Sequence, residues 1–340
     1  MKTLVVRLDH LGDLLLTTPL IRALSLGGHT VDVLVQDSLR PIFEDSRFVQ
    51  NCVGIGEAAP GFPARWWELA QWMRRTRYDV VILAYAKEPR LCFASAFSGA
   101  KRRIAMWSGL WGRLTGHECL ASHILDDPRP VSEILLSCSR VMGVADQGLR
   151  PDLFLSESER DTVRRLIPES LRGHRLVGLH PGSAGNACNL PSAVYAGVAA
   201  LLLRETDCAL IVTGTSGEAN LLTLWPDEIL HSNRVWISMG KLDVRQLAGV
   251  VAEMGVYVCS STGPLHVASA VGTPTVSPFC PTVPLCASIW GNIGSAARVI
   301  EPAICPKRAT GRYGCDFQGQ ITASKIFEQV VELAGLARQK

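Results

Sequence analysis

The chain has 340 residues, with 34 Lys and Arg against 31 Asp and Glu, a net charge of +3 and 47% hydrophobic side chains. That length exceeds one ordinary core and predicts two domains, and the apolar content excludes a disordered chain. So small a net charge, without a long Lys/Arg block, argues against nucleic acid as a partner. No run of about 18 apolar residues predicts a membrane span.

The first apolar run, residues 3–8, stops at Arg7 and Asp9, so it is not a signal-peptide core, and the expected compartment is the cytoplasm. This run reads as a strand. It is followed by the turn Leu8-Asp9-His10-Leu11-Gly12-Asp13 and then by leucines at helical spacing. Residues 31–35 read as a second strand, 65–77 as a helix with Trp66, Leu69, Ala70 and Met73 on one face, and 78–83 as a third strand. Such alternation predicts a parallel sheet with crossover helices. A Pro- and charge-rich loop at 125–130, a helix over 132–142 and a polar stretch at 148–152 mark a boundary.

The pattern then restarts. Helices are expected over 157–166, 193–203, 244–254 and 324–336, and strands over 176–180, 209–213, 235–238, 255–259 and 273–278. Two α/β halves follow, each a doubly wound sheet whose ligands bind beyond the carboxyl ends of the strands. No Gly-x-Gly-x-x-Gly fingerprint of a nicotinamide dehydrogenase is present. The 11 cysteines read as buried thiols. Cys280, Cys286, Cys305 and Cys315 gather near the C-terminus, where a structural metal is the alternative reading, although their spacing fits no standard zinc module.

Five places carry chemistry. The segment Ser260-Ser261-Thr262-Gly263-Pro264-Leu265-His266 lies between a strand and a helix start, where unpaired amides and the helix dipole favour an anion. Thr262 adds a hydroxyl, Gly263 lets a ligand approach the backbone, and His266 offers a hydrogen bond or a positive charge. Asp13 reads either as a helix N-cap or as a general base, with Asp9 as its rival. The loop His180-Pro181-Gly182-Ser183 leaves room for a phosphate, with a simple tight turn as the alternative. Glu218, just past a strand, reads as a ribose-diol acceptor or as a first-turn acid. Lys101-Arg102-Arg103 reads as a solvated basic corner or as an anionic acceptor site, with Trp107, Trp111 and Arg113 nearby.

Taken together, these residues resemble the ADP-heptose:lipopolysaccharide heptosyltransferase family, glycosyltransferase family 9. The stretch Arg7-Leu8-Asp9-His10-Leu11-Gly12-Asp13 is similar to its first motif. Residues 178–191, with His-Pro-Gly-Ser at the start and Asn-Leu-Pro at the end, are similar to its second, and Thr262-Gly263-Pro264-Leu265-His266 to its third. The resemblance implies a GT-B fold, two Rossmann-like domains facing a central cleft, with boundaries expected at 1–155 and 156–322 and a final helix, 323–340, crossing back to the first domain. It implies inverting, metal-independent transfer of a heptose from an ADP-linked donor to a lipopolysaccharide-core-like glycan or glycolipid, with no cofactor. Peripheral contact with the inner membrane follows from such an acceptor. Asp13 matches the catalytic base. Ser183, Thr262, Gly263, Pro264 and His266 match positions around the donor diphosphate, Glu218 the ribose, and Met239 and Lys241 the nucleobase loop. His10, Lys101, Arg102 and Arg103 are assigned to the acceptor. Two positions depart from the family pattern: Cys188 stands where a Lys or Arg is usual, and Ser261 where an Asp is usual. They raise two alternatives, a different nucleotide sugar or acceptor, and a non-catalytic binding scaffold.

Overall fold

The computed structural model describes residues 1–120, 128–183, 185, 187–303 and 317–338. It divides into two units, Met1–Phe154 and Leu155–Lys340. In the first, the elements run β1 (Lys2–Val6), α1 (Leu11–Leu26), β2 (Thr30–Val35), β3 (Asn51–Gly54), α2 (Ile55–Ala58), α3 (Trp66–Thr76), β4 (Val80–Leu83), α4 (Pro89–Ala96), β5 (Arg102–Met106), α5 (Gly109–Leu114), β6 (Glu118–Leu120), α6 (Val131–Leu135) and α7 (Ser137–Arg140). The second has α8 (Glu157–Leu166), β7 (Leu176–His180), α9 (Ser192–Glu205), β8 (Ala209–Val212), α10 (Asp227–Leu230), β9 (Val235–Ile237), α11 (Val244–Ala252), β10 (Val256–Cys259), α12 (Gly263–Val271), β11 (Thr275–Pro278), α13 (Ala287–Trp290), β12 (Ala297–Ile300) and α14 (Ala323–Ala334).

Each unit is built on a six-stranded parallel sheet. The orders are β3-β2-β1-β4-β5-β6 and β12-β11-β10-β7-β8-β9, the same doubly wound order in both halves. The inner strands are unbroken apolar runs because helices cover both faces. In such sheets the strand order reverses between the first and fourth strands, here between β1 and β4 and between β7 and β10. The crevice beyond their carboxyl ends is where ligands bind.

Helix α1 is buried on nearly every side, and it tolerates Pro19 for a local reason. Proline lacks the amide that would bond the Leu15 carbonyl, and the Thr18 hydroxyl donates to that oxygen instead, at 2.7 Å. The segment joining the units is tied to the same helix, since Asp152 pairs with Arg22 and its amide donates to Thr18 Oγ1 at 2.7 Å. Helix α8 then starts on a capping box made by Ser156 and Glu159.

Two expectations change. The helix expected over 132–142 is two short ones. Ser137 and Ser139 turn their hydroxyls back onto the carbonyls of Ile134 and Leu136, which competes with the regular ladder. Arg102 and Arg103, read as part of a solvated basic corner or an anionic acceptor site, open strand β5. The final helix, α14, packs within the second unit. There Ile326, Phe327 and Val330 join the core cluster formed with Tyr195, Val198 and Leu202 of α9.

Candidate active site

In the first unit the site is organised by Arg7, which follows β1 and is only 2% exposed. Its Nη2 donates to Asp13 Oδ1 at 2.8 Å, its Nε to Asp9 Oδ1 at 2.6 Å and its Nη1 to the carbonyl of Ala84, past β4, at 3.0 Å. One guanidinium therefore bridges both sides of the strand-order reversal. Its carbon also lies 5.3 Å from the centroid of the Tyr85 ring. Gln36, past β2, holds the turn by donating to the carbonyls of Leu8 and Asp9 at 2.6 and 3.2 Å.

Asp13 is not the N-cap of α1. That position is His10, exposed and without a side-chain capping bond, and Asp13 lies in the first turn with its carboxylate given to Arg7. Burial lifts the Asp13 carboxyl above its ordinary range, the Arg7 cation opposes the rise, and the Asp9 charge adds to it. Both aspartates, rivals for one role in the sequence, share one cation. Arg7 was missed there, although a lone arginine ending an apolar strand is a signal in its own right.

The second unit brings together three loops beyond β7, β8 and β10. The loop after β7 is held by Asn189, whose Nδ2 donates to the Pro181 carbonyl at 2.8 Å while Tyr195 donates to its Oδ1 at 3.1 Å. Ser183 is half-buried, and its hydroxyl accepts from the Gly185 amide at 3.3 Å. The Glu218 carboxylate lies against Gly182, where a Cβ would come within 2.2 Å of Oε1. The Thr215 amide and hydroxyl donate to the other oxygen, Oε2, at 2.8 and 2.9 Å. Met239 is buried beside Gly214. Lys241 donates its Nζ to the Ile237 carbonyl at 2.8 Å.

Thr262 caps α12 through its backbone and makes no side-chain capping bond, and Pro264 lies in the first turn, which contains no acid. His266, in that turn, is 4% exposed, and its Nδ1 has no partner. Burial pushes its pKa down to about 4, so the imidazole is neutral near pH 7. Of the two roles open to it in the sequence, a hydrogen bond or a positive charge, the neutral ring favours the hydrogen bond. His180 is likewise pushed down to about 4 by burial, against the pull of Glu218, and its Nδ1 faces Thr213 Oγ1 at 2.9 Å.

These two histidines set a pH dependence. Their folded pKa values lie below that of an unfolded imidazole, so between about pH 6.5 and 4 the unfolded chain binds more protons. Stability present above pH 6.5 is therefore lost as the pH falls toward 4. Thermal unfolding followed against pH is expected to show the midpoint dropping across that window, and His266→Gln to flatten the drop.

The acceptor residues expected around 101–103 do not form a free basic corner. Arg102 binds Glu118 through two nitrogens at 2.9 and 2.8 Å, and Arg103 donates to the carbonyls of Ala100 and Gly116. Lys101 alone stays exposed, 3.8 Å from Asp79. Cys188, at the position where the family pattern has a cation, is buried in the core cluster of the second unit. Cys280 and Cys286 are buried thiols, and Cys305 and Cys315 lie outside the described residues. Among the described residues no three His, Cys, Asp or Glu side chains gather as a metal site, and no helix is long and apolar enough to cross a membrane.

Two doubly wound units with polar loops at both reversal points give the two-domain α/β architecture of the GT-B class. The family model of glycosyltransferase family 9 (heptosyltransferase) matches residues 66–313, and the chain belongs to that family. The fold is similar to that of E. coli ADP-heptose lps heptosyltransferase II, with a TM-score of 0.80, 20% identity and 98% of each chain covered. It is also similar to a family 9 glycosyl transferase from Veillonella parvula, with a TM-score of 0.77, 18% identity and 98% and 97% covered. E. coli heptosyltransferase WaaC with ADP gives a TM-score of 0.68, 15% identity and 98% and 100% covered. A curated relative from Haemophilus influenzae, described provisionally as a glycosyltransferase, is 30% identical over 129 residues, 37% of this chain and 37% of that protein. The matched stretch thus spans little more than a third of that relative.

Proposed function

We propose that the protein transfers a heptose from an ADP-heptose to a hydroxyl of a lipopolysaccharide-core-like acceptor, with inversion at the anomeric carbon. The observation that carries this reading is the half-buried carboxylate of Asp13, held by Arg7 beyond β1 and made more basic by its partial burial. Asp13 takes the proton of the acceptor hydroxyl. The oxygen bonds to the anomeric carbon on the face opposite the diphosphate, and the carbon–oxygen bond to the diphosphate breaks. The electron pair leaves with ADP.

On the second unit, the first turn of α12 receives the developing charge. Helix amides and the neutral His266 meet the diphosphate, so in this reading no metal is needed. Ser183 adds a hydroxyl to the same group, Glu218 takes the ribose hydroxyls, and Met239 with Lys241 flanks the base. His10, exposed beside Asp13, faces the acceptor.

The burial of Cys188 favours a second reading, a different nucleotide sugar, because the cation expected to stabilise the leaving group is missing at that position. A thermal-shift panel of ADP, UDP, GDP and dTDP separates the two. ADP is expected to raise the unfolding midpoint most, and a preference for UDP or GDP would overturn the adenosine assignment. Binding of ADP without transfer to any heptose acceptor would leave only a scaffold.

A further inference from the structure

The strongest surface feature of the first unit lies on α3, α4 and α5. Helix α5 seats inward through Gly112, where a Cβ would lie 2.0 Å from Ser108 Oγ and 2.8 Å from Cys119 Sγ. Leu110, Trp111 and Leu114 are therefore left on the outward face, 65%, 44% and 65% exposed. Water-facing helical surface is normally polar. The face continues through rings: Trp111 packs on Phe93 at 5.7 Å, Phe93 on Trp66 at 5.8 Å, and Trp66 on Phe97 at 5.7 Å. Phe97 and Trp67 are also exposed, at 59% and 46%. An apolar surface of this kind marks a binding face.

Charge says what binds. Between Trp66 and Leu114 the chain has nine Lys and Arg against three Asp and Glu; without Arg102, bound to Glu118, and Arg103, bonded to the Ala100 and Gly116 carbonyls, a surplus of four remains, whereas the whole chain carries only +3. The same stretch holds five of the eight tryptophans. Arg113 is exposed within α5, Arg90 on α4 and Lys101 just before β5. Exposed Leu and Trp on a short helix that also carries the exposed Arg113, within a cation-rich stretch, match the chemistry of an anionic bilayer surface. There the rings sit at headgroup level and the cations meet lipid phosphates. The face also adjoins the candidate site. Trp107, two residues before α5, packs on Tyr85 at 6.0 Å, and Tyr85 carries the Arg7 guanidinium that holds Asp13.

We infer that the α4–α5 face, led by Leu110, Trp111 and Leu114, docks the protein onto an anionic lipid bilayer. A lipid-borne acceptor would then be presented beside Asp13. The docking itself stands on the surface alone and does not depend on the donor or on the transfer reaction.

The test is co-sedimentation of the full chain, without nucleotide, with vesicles of phosphatidylglycerol and phosphatidylethanolamine or of phosphatidylcholine alone. The parent is expected to bind the anionic vesicles, less at high salt, and the triple variant Leu110→Ser, Trp111→Ser, Leu114→Ser to bind at least about tenfold more weakly. Because that variant removes three apolar groups, Trp111→Phe serves as a folded control. Lipid brominated high on its acyl chains is expected to quench the parent's fluorescence and to quench the Trp111→Phe protein less. Failure of the parent to bind anionic vesicles, or equal quenching in the two proteins, overturns the inference. So does a parent that is dimeric through this face and monomeric in the triple variant, since the face would then be a protein–protein interface. Donor hydrolysis measured on the same samples reports on the transfer reading separately.

Discussion

Asp13→Asn is expected to lower glycosyl transfer by about 10²–10⁴-fold, the range for loss of a general base, while leaving nucleotide affinity unchanged. The asparagine keeps an oxygen where Arg7 Nη2 donates at 2.8 Å, so the loop is held as before. Only basicity is removed. In the parent, burial outweighs the Arg7 cation and raises the carboxyl pKa. The active form is the ionised one, so the rate rises with pH through that raised pKa and then levels. The same shift predicts a stability effect of defined sign. Ionising Asp13 is harder in the folded chain than in the unfolded one, so the parent loses stability as pH rises from the unfolded to the folded pKa. Asn does not ionise, and the variant is expected to be no less stable than the parent at neutral pH. Steady-state transfer, calorimetric ADP titration and urea unfolding check the three statements. Full transfer by the variant would remove Asp13 from the mechanism.

The architecture was readable because the inner strands are buried on both faces. Runs such as Val256-Tyr257-Val258 and Ala209-Leu210-Ile211-Val212 suit strands covered by helices on both sides of a parallel sheet. Of the four edge strands only β9, expected over 235–238, was readable. Strands β3, β6 and β12 are short and half-exposed, so they lack both the apolar run and strict alternation. Strand β5 was hidden by its first two residues. Two adjacent arginines look like a solvated corner, and only the structure shows Glu118 and the Ala100 and Gly116 carbonyls consuming them.

The loops of the candidate site were legible by position and less so by role. Strand–turn–helix junctions carrying Gly, Ser and Thr announce where an anion can sit. Which side chains stay charged there depends on burial, which no local pattern reports. Sequence chemistry left His266 open between a cation and a neutral hydrogen-bonding group, and enclosure in α12 makes it neutral. Asp13 was caught between cap and base because the competing partner, Arg7, sits six residues earlier and meets it only once β1 and α1 have folded back on each other. Outside the site, α5 escaped notice because six residues are too few for a periodic signal.

Arg7 is the position where the largest loss of stability is expected. Its guanidinium is buried, and it is held to Asp9 and Asp13, whose side chains keep only 18% and 20% of their surface exposed. Arg7→Met preserves length and apolar packing against Tyr85 but leaves two neighbouring carboxylates without their cation. Removing one partner of a buried pair typically costs about 3–5 kcal/mol, and the residual exposure of the aspartates places this case near the lower end, about 3 kcal/mol. The loss has a pH signature. With the cation gone, the Asp13 pKa rises further, so acidification neutralises the stranded charge and the penalty shrinks as the pH is lowered. Arg7→Lys is expected to fall between, because a single ammonium cannot reach Asp9, Asp13 and the Ala84 carbonyl together. In both variants the midpoint of the pH–rate profile should move upward, which a purely structural arginine would not cause. Urea unfolding at neutral and acidic pH, together with that profile, decides the matter: an Arg7→Met protein as stable as the parent at pH 7 would mean that the aspartates find their compensation in water, and the two carboxylates would then be independent of the strand that presents them.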